Sequence, residues 1–396
     1  MIRQREIQRQ EQSRPARWTL KPSQGLRKQL VPKTSVEYVI ADCQRKAGAG
    51  EATLHKYGMP RMRKRMRRSP WARIFQRSLT TLTRSAVKTG TRAVKRALKP
   101  AVVKRTPPPG AGAWSLGVAV GPTGARRFRL YRPPDVKFGE RLPLIVMLHG
   151  CGQDANAFAT STRMNRIAMR ERFLVLYPEQ DRLANAQGCW NWYDTSSGRA
   201  YGEAALIMNA IDQVCLLHPV DGTRLAIAGL SAGASMAALL VTRHPARFKA
   251  VVMHSGIPPG TAHSTLSAMG AMHGHRATLP PLATPVTMAA SWPPLLVIHG
   301  DADVLVSPRN GQAAAHLWAA AAGAQAGTAR IVQRGQRYPM AVTDFKRKGK
   351  TVATLVAISR LAHAWSGGAA NKPFSDGKGP DASRMVWAFA AKQFRP

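Results

Sequence analysis

The chain has 396 residues, 44% of them hydrophobic, and carries 59 Lys and Arg against 20 Asp and Glu, a formal net charge of +39. That length and apolar content suffice for one large packed domain or two, which excludes a chain too polar to fold. No apolar run reaches the roughly 18 residues that a membrane-spanning helix needs, and the opening MIRQREIQRQEQSRP lacks the apolar stretch of a secretory signal.

Residues 1–70 are polar, rich in Gln and Arg and without sustained periodicity, and are expected to be a disordered basic region. Between Glu51 and Asp135 there is no acidic residue, so most of the excess charge precedes the remainder of the chain. Over 71–98, Trp71, Ile74, Phe75, Leu79 and Leu82 recur near helical spacing with Arg and Lys between them, which predicts a basic amphipathic helix. Such a helix suits attachment to a polyanion or an anionic lipid surface; it equally suits a solvated helix resting on a domain. Specific nucleic-acid recognition is not expected, because no helix-turn-helix, finger or aromatic-basic repeat accompanies the charge. Residues 99–113, KPAVVKRTPPPGAGA, read as a Pro/Gly linker, and 114–396 as one catalytic domain.

That domain opens with two strand-like runs, 115–120 and 126–131, expected to pair as an antiparallel hairpin at a sheet edge. Apolar runs at 144–148, 173–177, 225–228, 250–253, 295–298 and 351–358 have the composition of buried parallel strands. Helical patterns lie near 155–171, 202–217, 232–243, 309–322 and 381–394. The alternation predicts an α/β fold, a mostly parallel doubly wound sheet with ligand groups gathered at the carboxyl ends of its strands.

The chemistry is organised around RLAIAGLSAGASMAALL, Arg224 to Leu240. A strand meets Gly229-Leu230-Ser231-Ala232-Gly233 and passes directly into a helix, the G-x-S-x-G arrangement of a nucleophile elbow. Glycines are needed where the turn backbone closes against its neighbours, and Ser231 is left exposed at the apex. The helix points its N-terminus at the site, so the N–H of Ala232 can donate to a developing oxyanion. After the 144–148 strand comes His149-Gly150-Cys151-Gly152-Gln153, a turn that can offer a second N–H, from Cys151 or alternatively Gly152. After 295–298 comes HGDADVLV, in which Asp303 rather than Asp301 is expected to orient a histidine. After the last strand comes LAHAWSGG, whose His363 suits a general base. The order Ser231, Asp303, His363 is that of a hydrolase triad on a doubly wound sheet.

The stretches LIVMLHGCGQDANAF, LYPEQ, CWNWY, GLSAGASMAALL, HSGIPPG, HGDADVLVSPRNG, HAWSGG and GPDASRMVWAF together resemble the esterase family of polyhydroxybutyrate depolymerases, an α/β-hydrolase family related to feruloyl and acetylxylan esterases. The resemblance runs from about Trp114 to the C-terminus. It implies a serine esterase with Ser231 as nucleophile, His363 as base and Asp303 as its orienter, and with oxyanion donors at Cys151 and Ala232. It also implies a disulfide between Cys151 and Cys189, two of four cysteines, none of which has C-x-x-C spacing. An extracellular location follows from the resemblance, whereas the absent signal stretch points to the cytoplasm.

The expected reaction is two-step acyl transfer on a polyester, oligomer or small ester, needing no metal or organic cofactor. Trp190, Trp192 and Tyr193 are candidate linings of the substrate pocket, although tryptophans of such a loop are commonly core residues. Two other functions stay open: a feruloyl or acetylxylan esterase, and an anionic-surface-binding protein whose hydrolase domain is vestigial.

Overall fold

The computed structural model describes residues 110–275 and 292–395. The expected disordered region (1–70), the expected basic helix (71–98) and all of the expected linker up to residue 109 lie outside the described residues. Gly110 and Gly112 are at positive φ, and Ala113, expected in the linker, belongs to the first strand.

The hairpin forms as expected: β1 (Ala113–Gly121) pairs antiparallel with β2 (Gly124–Arg132), closed by Gly121 opposite Gly124. Next come β3 (Leu142–Leu148), β4 (Leu174–Pro178), β5 (Val220–Leu230), β6 (Ala250–His254) and β7 (Leu295–Gly300). The chain ends with β8 (Gln325–Ala326), β9 (Arg330–Val332), β10 (Met340–Arg347), β11 (Lys350–Ile358) and a small separate pair, β12 (Trp365–Ser366) with β13 (Ser375–Asp376). Among the described residues the main sheet runs β1-β2-β4-β3-β5-β6-β7-β11-β10-β8, with β9 beside β10. Its centre, from β4 through β11, is parallel throughout.

Side-chain alternation along the central strands decides which helix lies on which face. Leu144, Val146 and Leu148 point to the side covered by α3 (Arg199–Leu217), α4 (Ala232–Arg243) and α6 (Arg309–Ala322). Ile145 and Met147 point to the side covered by α1 (Ala155–Thr162), α2 (Met164–Glu171) and α7 (Ala382–Gln393). A short α5 (Thr265–Met272), not expected from the sequence, adds Ala268 and Ala271 to the first of these layers.

Two departures have physical causes. The single helix expected over 155–171 is two, separated at Arg163, which takes φ 56°. Thr160, Ser161 and Thr162 all turn their hydroxyls back onto carbonyls of the preceding turn, a competition with the helix that ends it there. Antiparallel β10 was also absent from the expected pattern, because its sequence MAVTDFKR is half polar; it is an outer strand, joined to β11 by a turn at Lys348 and Gly349, both at positive φ.

Four connections leave the carboxyl ends of parallel strands along one edge of the sheet: those after β3, β5, β7 and β11, with β6 between β5 and β7. These carry Cys151, Ser231, Asp303 and His363 respectively.

Candidate active site

Ser231 stands between the end of β5 and the start of α4 with φ 55° and ψ −123°, a conformation that costs a non-glycine residue energy and that the surrounding contacts must enforce. Its N–H donates to the His254 carbonyl at 2.9 Å, and its own carbonyl receives the N–H groups of Ala234 and Ser235. The flanking glycines are obligatory by contact: a Cβ at Gly229 would run into the Gly233 backbone, and one at Gly233 into the carbonyls of Leu148 and His149. The elbow is therefore clamped directly against the end of β3, and a Cβ on Gly150 would lie 3.6 Å from that of Ser231.

The turn after β3 is fastened from several directions. Gln153 Oε1 accepts the Gly150 N–H at 3.0 Å, and Gly152 N–H donates to the Gln187 carbonyl at 2.9 Å. Cys151 and Cys189 form a disulfide with their Cα atoms 4.3 Å apart, tying this turn to the CWNWY loop. With Gly152 N–H engaged, the Cys151 N–H is the one left without an intramolecular acceptor; the Ala232 N–H, at the first turn of α4, likewise has none among the described residues. Both free donors belong to segments that flank Ser231.

On the other flank, His363 Nδ1 lies 2.7 Å from Asp303 Oδ2. Asp303 is almost wholly buried, and its other oxygen accepts the N–H groups of Leu305 and Val306 at 3.1 and 2.9 Å. Burial by itself would raise its pKa, but hydrogen bonds from His299, His363 and the Val306 N–H outweigh it and hold the carboxyl well below the ordinary carboxylate range. An ionised Asp303 can only accept, so the Nδ1–H of His363 donates to it, and Nε2 is the ring nitrogen left over. The bond to Asp303 is the one side-chain hydrogen bond of that ring among the described residues. Asp301 is exposed and has a different task, accepting the Arg360 N–H at 2.7 Å to hold the turn after β11.

Three buried polar residues that sequence reasoning gave no role surround these groups. His299 Nε2 lies 2.9 Å from the Val306 carbonyl and 3.4 Å from Asp303 Oδ2, so the carboxylate oxygen is shared by two imidazoles. His254, fully buried, stacks on Trp365 at 5.0 Å and accepts the Ser366 N–H on Nε2, which anchors the segment just beyond His363. Burial, with His299 and His363 nearby, lowers its pKa to about 3. Glu203 accepts from Gln180, from the Asn191 N–H and from the Asn191 amide, fixing the CWNWY loop from below. The only sequence signal for the two histidines was their place at the ends of β6 and β7.

Trp190 departs from the expectation of a pocket lining. It is fully buried, and its indole N–H donates to the His149 carbonyl at 3.1 Å, so it braces the turn after β3 from behind. Trp192 is almost as buried and meets the half-buried Tyr193 edge to face at 5.6 Å. Among the described residues no group of three or more His, Cys, Asp or Glu is placed to hold a metal ion, and no helix is long and apolar enough to cross a membrane.

A family model described as Esterase PHB depolymerase matches residues 126–336, more than half of the chain. Among curated proteins, the chain is 30% identical over 184 residues to poly(3-hydroxyalkanoate) depolymerase C of Paucimonas lemoignei, covering 42% of this chain and 42% of that protein. It is 25% identical over 229 residues to acetylxylan esterase A of Emericella nidulans, covering 54% of this chain and 73% of that protein. The chain thus spans less than half the length of the first relative and about three quarters of the second. Among solved structures, an acetyl xylan esterase from Aspergillus awamori superposes with a TM-score of 0.50 at 18% identity, over 64% of this chain and 94% of that one. At that identity the likeness concerns the fold, an α/β-hydrolase sheet, and not the substrate.

Proposed function

The chain belongs to the Esterase PHB depolymerase family, and from that premise we propose that it is a serine esterase acting on hydroxyalkanoate-type esters through Ser231, His363 and Asp303. The observation that carries this reading is the 2.7 Å bond between His363 Nδ1 and a buried, ionised Asp303, on loops from the adjacent strands β7 and β11, with a strained serine elbow beside them.

In the first step His363 Nε2 takes the Ser231 proton as Oγ attacks the ester carbonyl carbon. The carbonyl oxygen gains the negative charge, and the unengaged N–H groups of Cys151 and Ala232 receive it. The tetrahedral adduct collapses as the imidazolium returns its proton to the departing alkoxide oxygen, leaving an acyl-serine and a free alcohol. Water, deprotonated by the same ring, then attacks the acyl-serine, and Ser231 recovers its proton as the acid departs. Asp303 stays ionised throughout; it fixes the tautomer and stabilises the transient imidazolium.

The likeness over about three quarters of acetylxylan esterase A supports a second reading, an acetyl esterase of polysaccharide. The two differ in substrate alone. Initial rates on 3-hydroxybutyrate oligomers, acetylated xylo-oligosaccharides and feruloyl esters, each alongside Ser231→Ala, separate them; oligomer hydrolysis no faster than that of the sugar ester overturns the first. The Cys151–Cys189 disulfide supports residence in an oxidising, extracellular compartment, where such bonds persist.

A further inference from the structure

Beside the oxyanion turn lies a cleft of about 300 Å³ that the triad does not account for. One wall is the turn and the first residues of α1, Gly152, Asp154 and Asn156 among them; the other is Lys372, Pro373 and Phe374. The second wall descends directly from the segment that carries His363. The Phe374 carbonyl accepts the Trp365 N–H at 2.8 Å, two residues past His363, and Ser375 Oγ and the Ala369 N–H both bond the Ser161 carbonyl at the end of α1. The cleft is thus bounded on one side by the oxyanion turn and on the other by the loop of the base.

Phe374 is the anomaly in it. The residue sits at φ 55°, a region that disfavours bulky side chains, and its ring is 40% exposed and joins neither core cluster. The carbonyl of Phe374 serves the fold by accepting the Trp365 N–H, but the half-exposed ring does not, which directs attention to what the ring faces.

We propose that this cleft is the subsite for the alcohol half of the ester, and that it takes a short hydroxyacyl chain ending in a carboxylate. The inference rests on the esterase reading above. His363 must deliver its proton to the departing alkoxide, so the alcohol half of the substrate leaves the reacting carbon on the His363 side. The second wall of the cleft belongs to the segment that follows His363, tied to it through the Trp365 N–H and the Phe374 carbonyl. When a hydroxyalkanoate oligomer is cut, its alcohol half is a hydroxyacid: methyl and methylene carbons lie against the Phe374 ring and Pro373, and the terminal carboxylate falls to the Lys372 ammonium, whose side chain is exposed at the rim. A sugar alcohol would bring no anion for that lysine.

The test uses the full chain and two esters with the same acyl half: methyl 3-hydroxybutyrate, whose alcohol is methanol, and the 3-hydroxybutyrate dimer, whose alcohol is a hydroxyacid anion. Phe374→Gly relieves the backbone strain while removing the ring, so its Tm should equal or exceed that of the parent. The ratio of kcat/KM for dimer over methyl ester should nevertheless fall about tenfold, the low end of what losing a few carbon contacts does to discrimination, with the change in KM. Lys372→Gln should lower the same ratio about threefold for the free-acid dimer and not for its methyl ester, as for an exposed ion pair. An unchanged ratio in both variants overturns the subsite while the esterase reading stands, as does parental hydrolysis of the methyl ester without the dimer. If the parent hydrolyses neither ester, the esterase reading fails first and takes the subsite with it. A lower Tm in Phe374→Gly with equal losses on both esters would assign the ring to the fold instead.

Discussion

The two flanks of Ser231 are held in different ways. On the oxyanion side the turn is cross-linked by Cys151–Cys189, braced by the Trp190 indole and backed by the buried Glu203 network. On the acid–base side there is no cross-link; Asp303 is held by two backbone N–H groups, His363 by one carboxylate oxygen, and the following segment by His254 and the β12–β13 pair. In the proposed reaction this difference suits what each side would have to do. Peptide N–H donors are useful only if their position is set beforehand and never change charge, so covalent rigidity suits them. The imidazole must gain and lose a proton in each half-reaction, and a permanent buried carboxylate lets it do so without rearrangement.

Breaking the acid–base side should therefore have the largest effect on turnover. Ser231→Ala and His363→Ala should each lower kcat on a nitrophenyl ester by about four orders of magnitude or more, with the circular dichroism spectrum unchanged. Asp303→Asn should cost about 10³ to 10⁴, since the amide cannot hold the Nδ1–H tautomer. Asp301→Asn, which touches only the Arg360 N–H, should cost less than about threefold, on the scale of a single neutral hydrogen bond. If the two aspartates exchanged these outcomes, the assignment of the acid would fall.

Breaking the oxyanion side should act on stability before chemistry. Reduction of Cys151–Cys189, which closes a loop with a sequence separation of 38, should lower the free energy of unfolding by about 2 to 4 kcal/mol in urea titrations. Cys151→Ser should reproduce the shift without reductant. Coincident urea midpoints for oxidised and reduced protein would show that the hydrogen bonds of the turn carry it alone.

Acid sharpens the comparison because each flank contains a buried neutral histidine. Burial lowers His149 on the oxyanion side to about 4 and His254 on the acid–base side to about 3. Their unfolded counterparts titrate near 6.5, so between those values the unfolded state binds the extra protons. Stability should be flat above pH 7 and fall as pH drops from 6.5, by roughly 2 kcal/mol per histidine at pH 5. Asp303 acts in a lower window, its contribution present above the ordinary carboxylate range and lost only below it. Denaturant unfolding at pH 7 and pH 5 measures the first effect; half the expected loss would mean that one ring is charged or solvated in the native state, and equal stabilities that both are.

Much of this was legible in the chain itself. The strand–elbow–helix at Ser231 announces itself because glycine is required on both sides of the apex and small apolar residues follow; the close approach to Gly233, Leu148 and His149 makes that requirement steric. Helix α4 and helix α6 run over the residues expected, α4 because small apolar residues fill it on all sides and it is buried all round, α6 because its apolar spacing matches a single buried face. Apolar runs likewise marked the parallel centre of the sheet, because strands covered on both faces have no polar side to hide them. Hydroxyl groups folding back on Asn156 and Phe158 carbonyls left no comparable trace, and neither did a half-polar outer strand such as β10.

What only tertiary structure decided is how distant segments share atoms. Nothing in HGDADVLV states that His299 competes for the oxygen that His363 uses, since that contact joins residues 60 apart in sequence to their neighbour four apart. CWNWY leaves open whether Trp190 lines a pocket or faces the core; the fold decides for the core, where its N–H meets the His149 carbonyl 41 residues away. That the Gly152 N–H is already engaged follows from Gln187, whose carbonyl accepts it from a stretch distant in sequence. Local pattern encodes propensity and periodicity; which hydrogen-bonding groups are already spent is a property of the assembled fold.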